Sequence, residues 1–206
     1  MPRTAIRLSS RAPRRRHRTG ALVLAAMIAS LTACGSTPPP TPGFTAIESA
    51  FDASTEGWTS SEPEAPTWQA PGVLVLVDAG GGWYHAIAPA KFHGDWTGAE
   101  TVRLRVRADA GGVVYPLRLV VAGAGATLVH QFPLSALEPG DWRTLSAPLV
   151  AGAWTVFAGH ETDGPDVDAA TFADVLAAVA DFRVRVDLND GYTGDEINVL
   201  DDVGVY

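Results

Sequence analysis

Residues 101–107 read TVRLRVR, and apolar side chains alternate strictly with arginines through them. Successive side chains of a β-strand point to opposite faces, so this alternation predicts an antiparallel strand with one face on a core and one in water. Residues 182–188, FRVRVDL, repeat the pattern. The two stretches predict an all-β protein whose sheets bury one face only.

Further strands are predicted where short apolar runs lie between turn residues rich in glycine, proline and aspartate. They are Val73–Val77, Trp83–Ala88, Leu117–Val121, Thr127–Phe132, Trp142–Leu149 and Ile197–Val205. About eight short strands are typical of a β-sandwich or jelly roll. One segment, residues 171–180, has helical spacing instead and predicts a helix of two to three turns with Thr171 as its N-cap and Asp174 at N3.

Charge divides the chain into two parts. Seven arginines and no acidic residue precede position 34, whereas eight basic and 23 acidic residues follow from Cys34 onward, giving that part a net charge of −15. Apolar residues make up 47% of the chain and charged residues 18%, as in folded proteins. The acidic body argues against nucleic acid and against an anionic membrane surface as its partner.

The first 33 residues have the pattern of an export signal. A basic stretch, Arg11–Arg18, precedes an apolar run from Ala21 to Leu31 that is shorter than the roughly 20 residues of a membrane span. Residues 31–36, LTACGS, resemble the lipobox of bacterial lipoproteins. That resemblance implies lipidation of Cys34, the only cysteine. The alternative is an ordinary signal peptide with a chance cysteine.

The residues after Cys34 predict a tether followed by one domain. Residues 36–43 read STPPPTPG, and proline fixes φ and lacks an N–H donor, so this segment is expected to be extended. We expect a signal peptide at 1–33, a tether at 34–43 and a folded domain at 44–206. The expected location is a membrane surface outside the cytoplasm, on the cell surface or the periplasmic face, with the lipid as anchor.

Three motifs of the predicted domain resemble a known family. Residues 83–95, WYHAIAPAKFHGD, resemble the W-Y-F-x-A-P-x-K-F-L-G-D run of the laminin B (laminin IV type A) domain, with His93 at the family's leucine. Residues 51–58, FDASTEGW, and 200–205, LDDVGV, resemble the opening and closing strands of galactose-binding-like jelly rolls. The resemblance covers residues 48–206 and implies an antiparallel β-sandwich of this type with one short helix.

The same resemblance implies a structural calcium ion that joins the two chain ends. The matching positions are Asp52 on the first strand and Asp201 or Asp202 on the last, with Glu48 nearby. Calcium takes six to eight oxygen ligands, so backbone carbonyls and water would complete the shell. The alternative is that Asp52 caps a turn and the two C-terminal aspartates face water.

Tryptophans, an acidic segment and histidines are further candidates for binding or catalysis. Three tryptophans in loop-like contexts, Trp68, Trp96 and Trp154, are the candidates for a ligand-binding face, whereas Trp58, Trp83 and Trp142 are expected in the core. The acidic segment 187–196 lacks the glycine and glutamate of an EF-hand, so a polar hairpin loop is expected there. The histidines lack zinc-site spacing, and no nucleophile elbow or phosphate loop occurs.

These observations leave three hypotheses for function. The first is an anchored, non-catalytic binding or adhesion module with a protein or glycan ligand. The second is a dedicated carbohydrate-binding module for cell-wall or extracellular glycan, which requires a groove on one sheet. The third is a glycan hydrolase, which requires two carboxylates in a cleft, one with a raised pKa.

Overall fold

The computed structural model describes residues 43–79, 83–159, 163–189 and 194–206. The predicted signal peptide, Cys34 and almost all of the tether lie outside these residues. The described residues belong to one compact unit. None of its helices is long and apolar enough to span a membrane.

Two antiparallel sheets form the domain. The first sheet has the strand order β3-β4-β13-β6-β9, with β1 also paired to β13, and the second has the order β11-β10-β8-β7-β12-β5-β2. The strands are β1 Ile47–Ser49, β2 Thr59–Ser60, β3 Thr67–Gln69, β4 Val73–Asp78, β5 His85–Ile87, β6 Thr101–Ala110, β7 Arg118–Gly123, β8 Ala126–Gln131, β9 Arg143–Pro148, β10 Thr155–Phe157, β11 Asp163–Asp166, β12 Val179–Arg185 and β13 Glu196–Val205. Three short 3-10 helices, Ala90–Phe92, Leu134–Ala136 and Ala151–Ala153, and the α-helix α1, Ala169–Ala177, connect them.

Strand β6 confirms the alternation that predicted the fold. Its side chains Val102, Leu104 and Val106 are buried in the core shared by the two sheets. The intervening arginines point to the other face, where β6 lies between β13 and β9. The described residues therefore form an all-β antiparallel sandwich with one α-helix, as the sequence predicts.

An aromatic cluster fills the centre of the core. The ring of Phe182 on β12 lies 5.4 Å from that of Trp96, 5.5 Å from that of Phe92 and 6.1 Å from that of Trp58. The contacts with Trp96 and Trp58 are edge-to-face, a geometry that aromatic pairs favour. Since these residues come from segments far apart in sequence, the cluster packs the segments that hold Trp58, Phe92 and Trp96 against β12 of the second sheet.

The opening motif has a structural role. Glu56 accepts a hydrogen bond from the backbone N–H of Phe51, and it forms an ion pair with Lys91 of the second motif. The indole N–H of Trp58 donates to Ser49 Oγ on β1 at 2.9 Å. Lys91 also donates to the carbonyl oxygen of Glu48 at 2.6 Å. The residues that carry the family resemblance thus join β1 to the segment before β6.

The helix begins earlier than its pattern predicts. Helix α1 covers Ala169–Ala177, and its N-cap is Asp168, whose carboxylate accepts hydrogen bonds from the N–H groups of Ala170 and Thr171. The prediction of Thr171 as N-cap is therefore wrong. Aspartate is as good an N-cap as threonine, and Thr171 instead donates its hydroxyl to Asp168.

Candidate functional site

The outer surface of the first sheet is the candidate site, and we call it the arginine face. It is formed by Arg103, Arg105 and Arg107 of β6, with Trp142 and Tyr206 beside them. The Arg103 guanidinium lies 4.2 Å from the centre of the Tyr206 ring. Those of Arg105 and Arg107 each lie 4.8 Å from the centre of the Trp142 ring. The long side chains are therefore ordered by aromatic contacts.

Two adjoining grooves cross the arginine face. Groove 1 has a volume of about 390 Å³ and is lined by Arg103, Thr144, Tyr206 and Glu48, among others. Groove 2 has a volume of about 490 Å³ and is lined by Arg107, Trp142, Gln69, Asp52 and Asp201, among others. Ala50, Arg105 and Asp202 line both. Each is within the range of about 300–1,000 Å³ that small-molecule sites occupy.

Arg105 is the electrostatic centre of the two grooves. It donates to Asp201 at 2.7 Å and to Asp202 at 3.5 Å. Burial raises the pKa of the Asp201 carboxyl, and the negative charges of Asp202 and Asp52 add to the rise, whereas Arg105 opposes it. The grooves therefore hold both hydrogen-bond donors and acceptors with charges of both signs.

The structure brings the predicted calcium ligands to one surface, where they line two adjoining grooves. Asp52, Asp201 and Asp202 all line groove 2, whereas Glu48 lines groove 1. Arg105 already provides the positive charge for both C-terminal aspartates. In the described part of the chain, the carboxylates that gather closely enough for a metal are others, Asp78, Asp187 and Glu196. Calcium at the chain ends therefore stays a prediction.

Two of the three predicted ligand-binding tryptophans lie in the core, which corrects that prediction. Trp96 and Trp154 are fully buried, and their indole N–H groups donate to the carbonyls of Phe92 and Pro148. Their loops fold inward, so no ring face is left for a ligand. Trp68 is 38% exposed and donates to the carbonyl of Phe51.

Two tryptophans expected in the core lie instead at the surface of the sheets. Trp142 and Trp83 are only partly buried. Trp142 packs under the arginines of the first sheet, and the Trp83 ring lies 4.1 Å from the guanidinium of Arg185, a buried residue of the second sheet. The signal in the sequence is the alternating arginines of β6 and β12, whose guanidinium groups contact these rings.

The outer face of the second sheet carries a smaller groove of about 180 Å³. His85, Phe157 and the Asp181–Arg183 ion pair line it. Phe157 is 37% exposed, and His85 shares a hydrogen bond with the carbonyl of Trp83 at 3.0 Å. This face is less polar than the arginine face and offers less space.

His85 should make stability depend on pH. Burial, helped by the positive charges of Arg183 and Arg185, lowers the pKa of His85 from 6.5 to about 4, although the Trp83 carbonyl opposes the shift. Between these values the unfolded state binds more protons, so stability should fall as the pH drops from 6.5 toward 4, by at most about 1.4 kcal/mol per pH unit. When urea unfolding is measured across this pH range, the free energy of unfolding of His85→Gln should change less with pH than that of the wild-type protein. Identical slopes in both proteins would contradict the assignment.

Comparison with known proteins identifies the fold. No protein-family model matches the chain, and no curated protein matches it. Among solved structures, the L4b domain of human laminin alpha-2 matches with a TM-score of 0.62 at 10% sequence identity, over 79% of this chain and 97% of that domain. This chain has the laminin L4b fold. The motifs at 51–58, 83–95 and 200–205 therefore predicted the fold correctly.

Two further solved structures are similar to this L4b-like chain. An agarase, AgWH50C, matches with a TM-score of 0.52 at 12% identity, over 75% of this chain and 23% of the agarase. CtCBM11, described in a study of its solution structure, dynamics and binding, matches with a TM-score of 0.46 at 14% identity, over 80% of this chain and 89% of that one. The CtCBM11 score is too low to support an inference about this chain.

Proposed function

We propose that the L4b-like domain is a non-catalytic glycan-binding module and that the arginine face is its binding surface. The observation that carries the proposal is the pair of adjoining grooves on this face. They combine planar guanidinium donors, carboxylate acceptors and the rings of Tyr206 and Trp142. Sugars present hydroxyl groups that pair with such donors and acceptors and C–H faces that pack on aromatic rings.

The charge of the grooves favours a neutral glycan. Arginines on the face are matched by the acids Glu48, Asp52, Asp201 and Asp202, and the chain from Cys34 onward carries a net charge of −15. An anionic polymer would be repelled by this field, whereas a polyhydroxylated neutral chain gains hydrogen bonds without repulsion. The proposed ligand is therefore a neutral polysaccharide of a cell wall or an extracellular matrix.

The Asp201 carboxyl of groove 2 supports binding without catalysis. Asp201 has a raised pKa, as a general acid would, but Arg105 holds it in an ion pair at 2.7 Å. The Oδ2 atom of Asp201 accepts from Arg105 and the Oδ1 atom accepts from the backbone N–H of Asp202, so both carboxyl oxygens act as acceptors and neither is free to donate a proton to a bound glycan. The agarase that shares the fold is more than four times as long as the matched region. Its activity is therefore not assigned to this chain.

The proposal places the module outside the cytoplasm on a lipid anchor. Its support is the export signal at 1–33, the lipobox-like sequence that ends at Cys34 and the proline-rich tether at 34–43. A diacyl or triacyl anchor retains a protein at a membrane far better than a single short chain does. The tether would hold the domain away from the lipid, where it reaches a glycan.

A glycan array and pull-downs on insoluble polysaccharides, with the purified full-length protein, test the proposal. Arg105→Ala should weaken binding by at least about tenfold, because a hydrogen bond from a charged group contributes about 1.5–3 kcal/mol. Arg143→Ala is the matched control. Its side chain is 38% exposed, as is that of Arg105, and it too pairs with two acids, Glu138 and Asp141, yet it lines neither groove.

The outcomes separate the hypotheses. Loss of binding in Arg105→Ala with retention in Arg143→Ala supports the arginine face. If binding is lost only in Phe157→Ala, the binding surface lies on the second sheet. Release of reducing sugar from a bound glycan by the wild-type protein would contradict the non-catalytic proposal, and absence of binding to every glycan tested would leave a protein partner as the ligand to seek.

A further inference from the structure

Three buried carboxylates meet at one end of the sandwich, away from the arginine face. Asp78 ends β4 and lies directly opposite Glu196, the first residue of β13. Asp187 follows β12 of the other sheet. One oxygen from each of these three side chains lies within 4.8 Å of the other two, and all three residues are buried.

Hydrogen bonds fix this cluster in place. Glu196 accepts from the backbone N–H of Leu188 at 2.7 Å and from that of Asn189 at 3.0 Å. Arg185, also buried, donates to Asp187 at 3.1 Å. Each carboxylate oxygen has two lone pairs, so an oxygen that accepts one hydrogen bond can still coordinate a cation.

A fourth oxygen, on the side chain of a hydrogen-bond partner of Glu196, has no hydrogen bond. Asn198 is 2% exposed, and its Nδ2 donates to Glu196 Oε1 and to the carbonyl oxygen of Val186, both at 2.6 Å. Both partners are acceptors, which fixes the orientation of the amide. Its Oδ1 is buried without a hydrogen-bond partner. A buried amide oxygen left unpaired is costly unless a cation or a donor satisfies it.

The composition of the cluster suits a divalent cation. It gathers three carboxyl groups in a place removed from water, where a bound cation favours their charged form. We propose that Asp78, Asp187, Glu196 and Oδ1 of Asn198 form a calcium-binding site that joins the two sheets at this end of the sandwich. Backbone carbonyls and water complete the shell.

The set of ligands favours calcium over magnesium. Calcium takes six to eight oxygens from carboxylates, amide and backbone carbonyls and water in a flexible geometry, whereas Mg²⁺ keeps several of its waters and rarely occupies a site built from protein oxygens alone. Three carboxylates and an amide oxygen gathered in a buried site match the calcium pattern. Asp187 and Glu196 lie in the segment whose spacing excludes an EF-hand, so the site is assembled across strands and not within one loop.

Calcium titration of the full-length protein by isothermal calorimetry, after treatment with EDTA, tests the site. One ion should bind per chain, because the three carboxylates and the Asn198 oxygen form a single site. Glu196→Gln and Asp78→Asn should each weaken binding by at least about tenfold.

Asp201→Asn is the control, because it removes a carboxylate of the expected calcium site at the chain ends and leaves the buried cluster intact. Stoichiometric binding that persists in Asp201→Asn and is lost in Glu196→Gln supports the proposal. Binding lost in Asp201→Asn and kept in Glu196→Gln would overturn it. The proposal would also be overturned if the wild-type protein gave no heat of binding and held no calcium at millimolar calcium. This result does not depend on whether a variant folds.

Discussion

Phe182→Ala should lower the free energy of unfolding by about 3–5 kcal/mol, the range found when a buried aromatic side chain is truncated. The Phe182 ring is fully buried and contacts Trp58, Phe92 and Trp96. Its loss would leave a cavity that these rigid rings cannot close. Denaturant unfolding monitored by tryptophan fluorescence measures the change, since two of its neighbours are tryptophans.

Phe157→Ala is the matched control for this truncation. Phe157 is the same residue type on the outer face of the second sheet and is 37% exposed. It should change stability far less than Phe182→Ala. Equal losses in the two variants would show that Phe182 is not at the centre of the core.

Gly123→Ala should also destabilise the protein, by about 1–3 kcal/mol, the usual range for an overpacked site. A Cβ atom on Gly123 would lie 2.4 Å from the carbonyl oxygen of Ala178 and 2.8 Å from that of Val175. These are backbone atoms at the end of α1, so the helix must move away from β7. Thermal unfolding followed by circular dichroism measures the loss.

Gly152→Ala serves as the control for this clash. A Cβ atom on Gly152 meets nothing within 4 Å, and its backbone is not in the left-handed region. Its unfolding midpoint should stay close to that of the wild-type protein. A Gly123→Ala protein as stable as Gly152→Ala would contradict the close packing of α1 against β7.

The fold was predictable because its signals are local. The alternation in residues 101–107 and 182–188 assigns an inner and an outer face without knowledge of the partner strands. The motifs at 51–58 and 83–95 contain Glu56, Trp58 and Lys91. The contacts of these side chains join the start of the domain to the sandwich, so the fold requires these residue types at these positions. The N-cap at Asp168 was missed because several residues before α1 are acceptable caps.

The candidate site was less predictable because it depends on contacts between distant strands. Trp96 and Trp154 lie in loops, but their loops fold onto the core. Trp142 was expected in the core, whereas two arginines of β6 cover it from outside. Arg105 belongs to the charged face that alternation predicts, but only the pairing of β6 with β13 brings it to Asp201.

The most direct test of glycan binding on the arginine face is a two-dimensional NMR titration of the indole N–H groups with a neutral oligosaccharide retained in the pull-down. The chain has six tryptophans, and Trp142 lines groove 2. Three others, Trp58, Trp96 and Trp154, are buried and serve as internal references. The Trp142 resonance should shift saturably while these three stay fixed. A saturable shift of Trp83 on the second sheet, with Trp142 unmoved, would contradict the assignment of the binding surface.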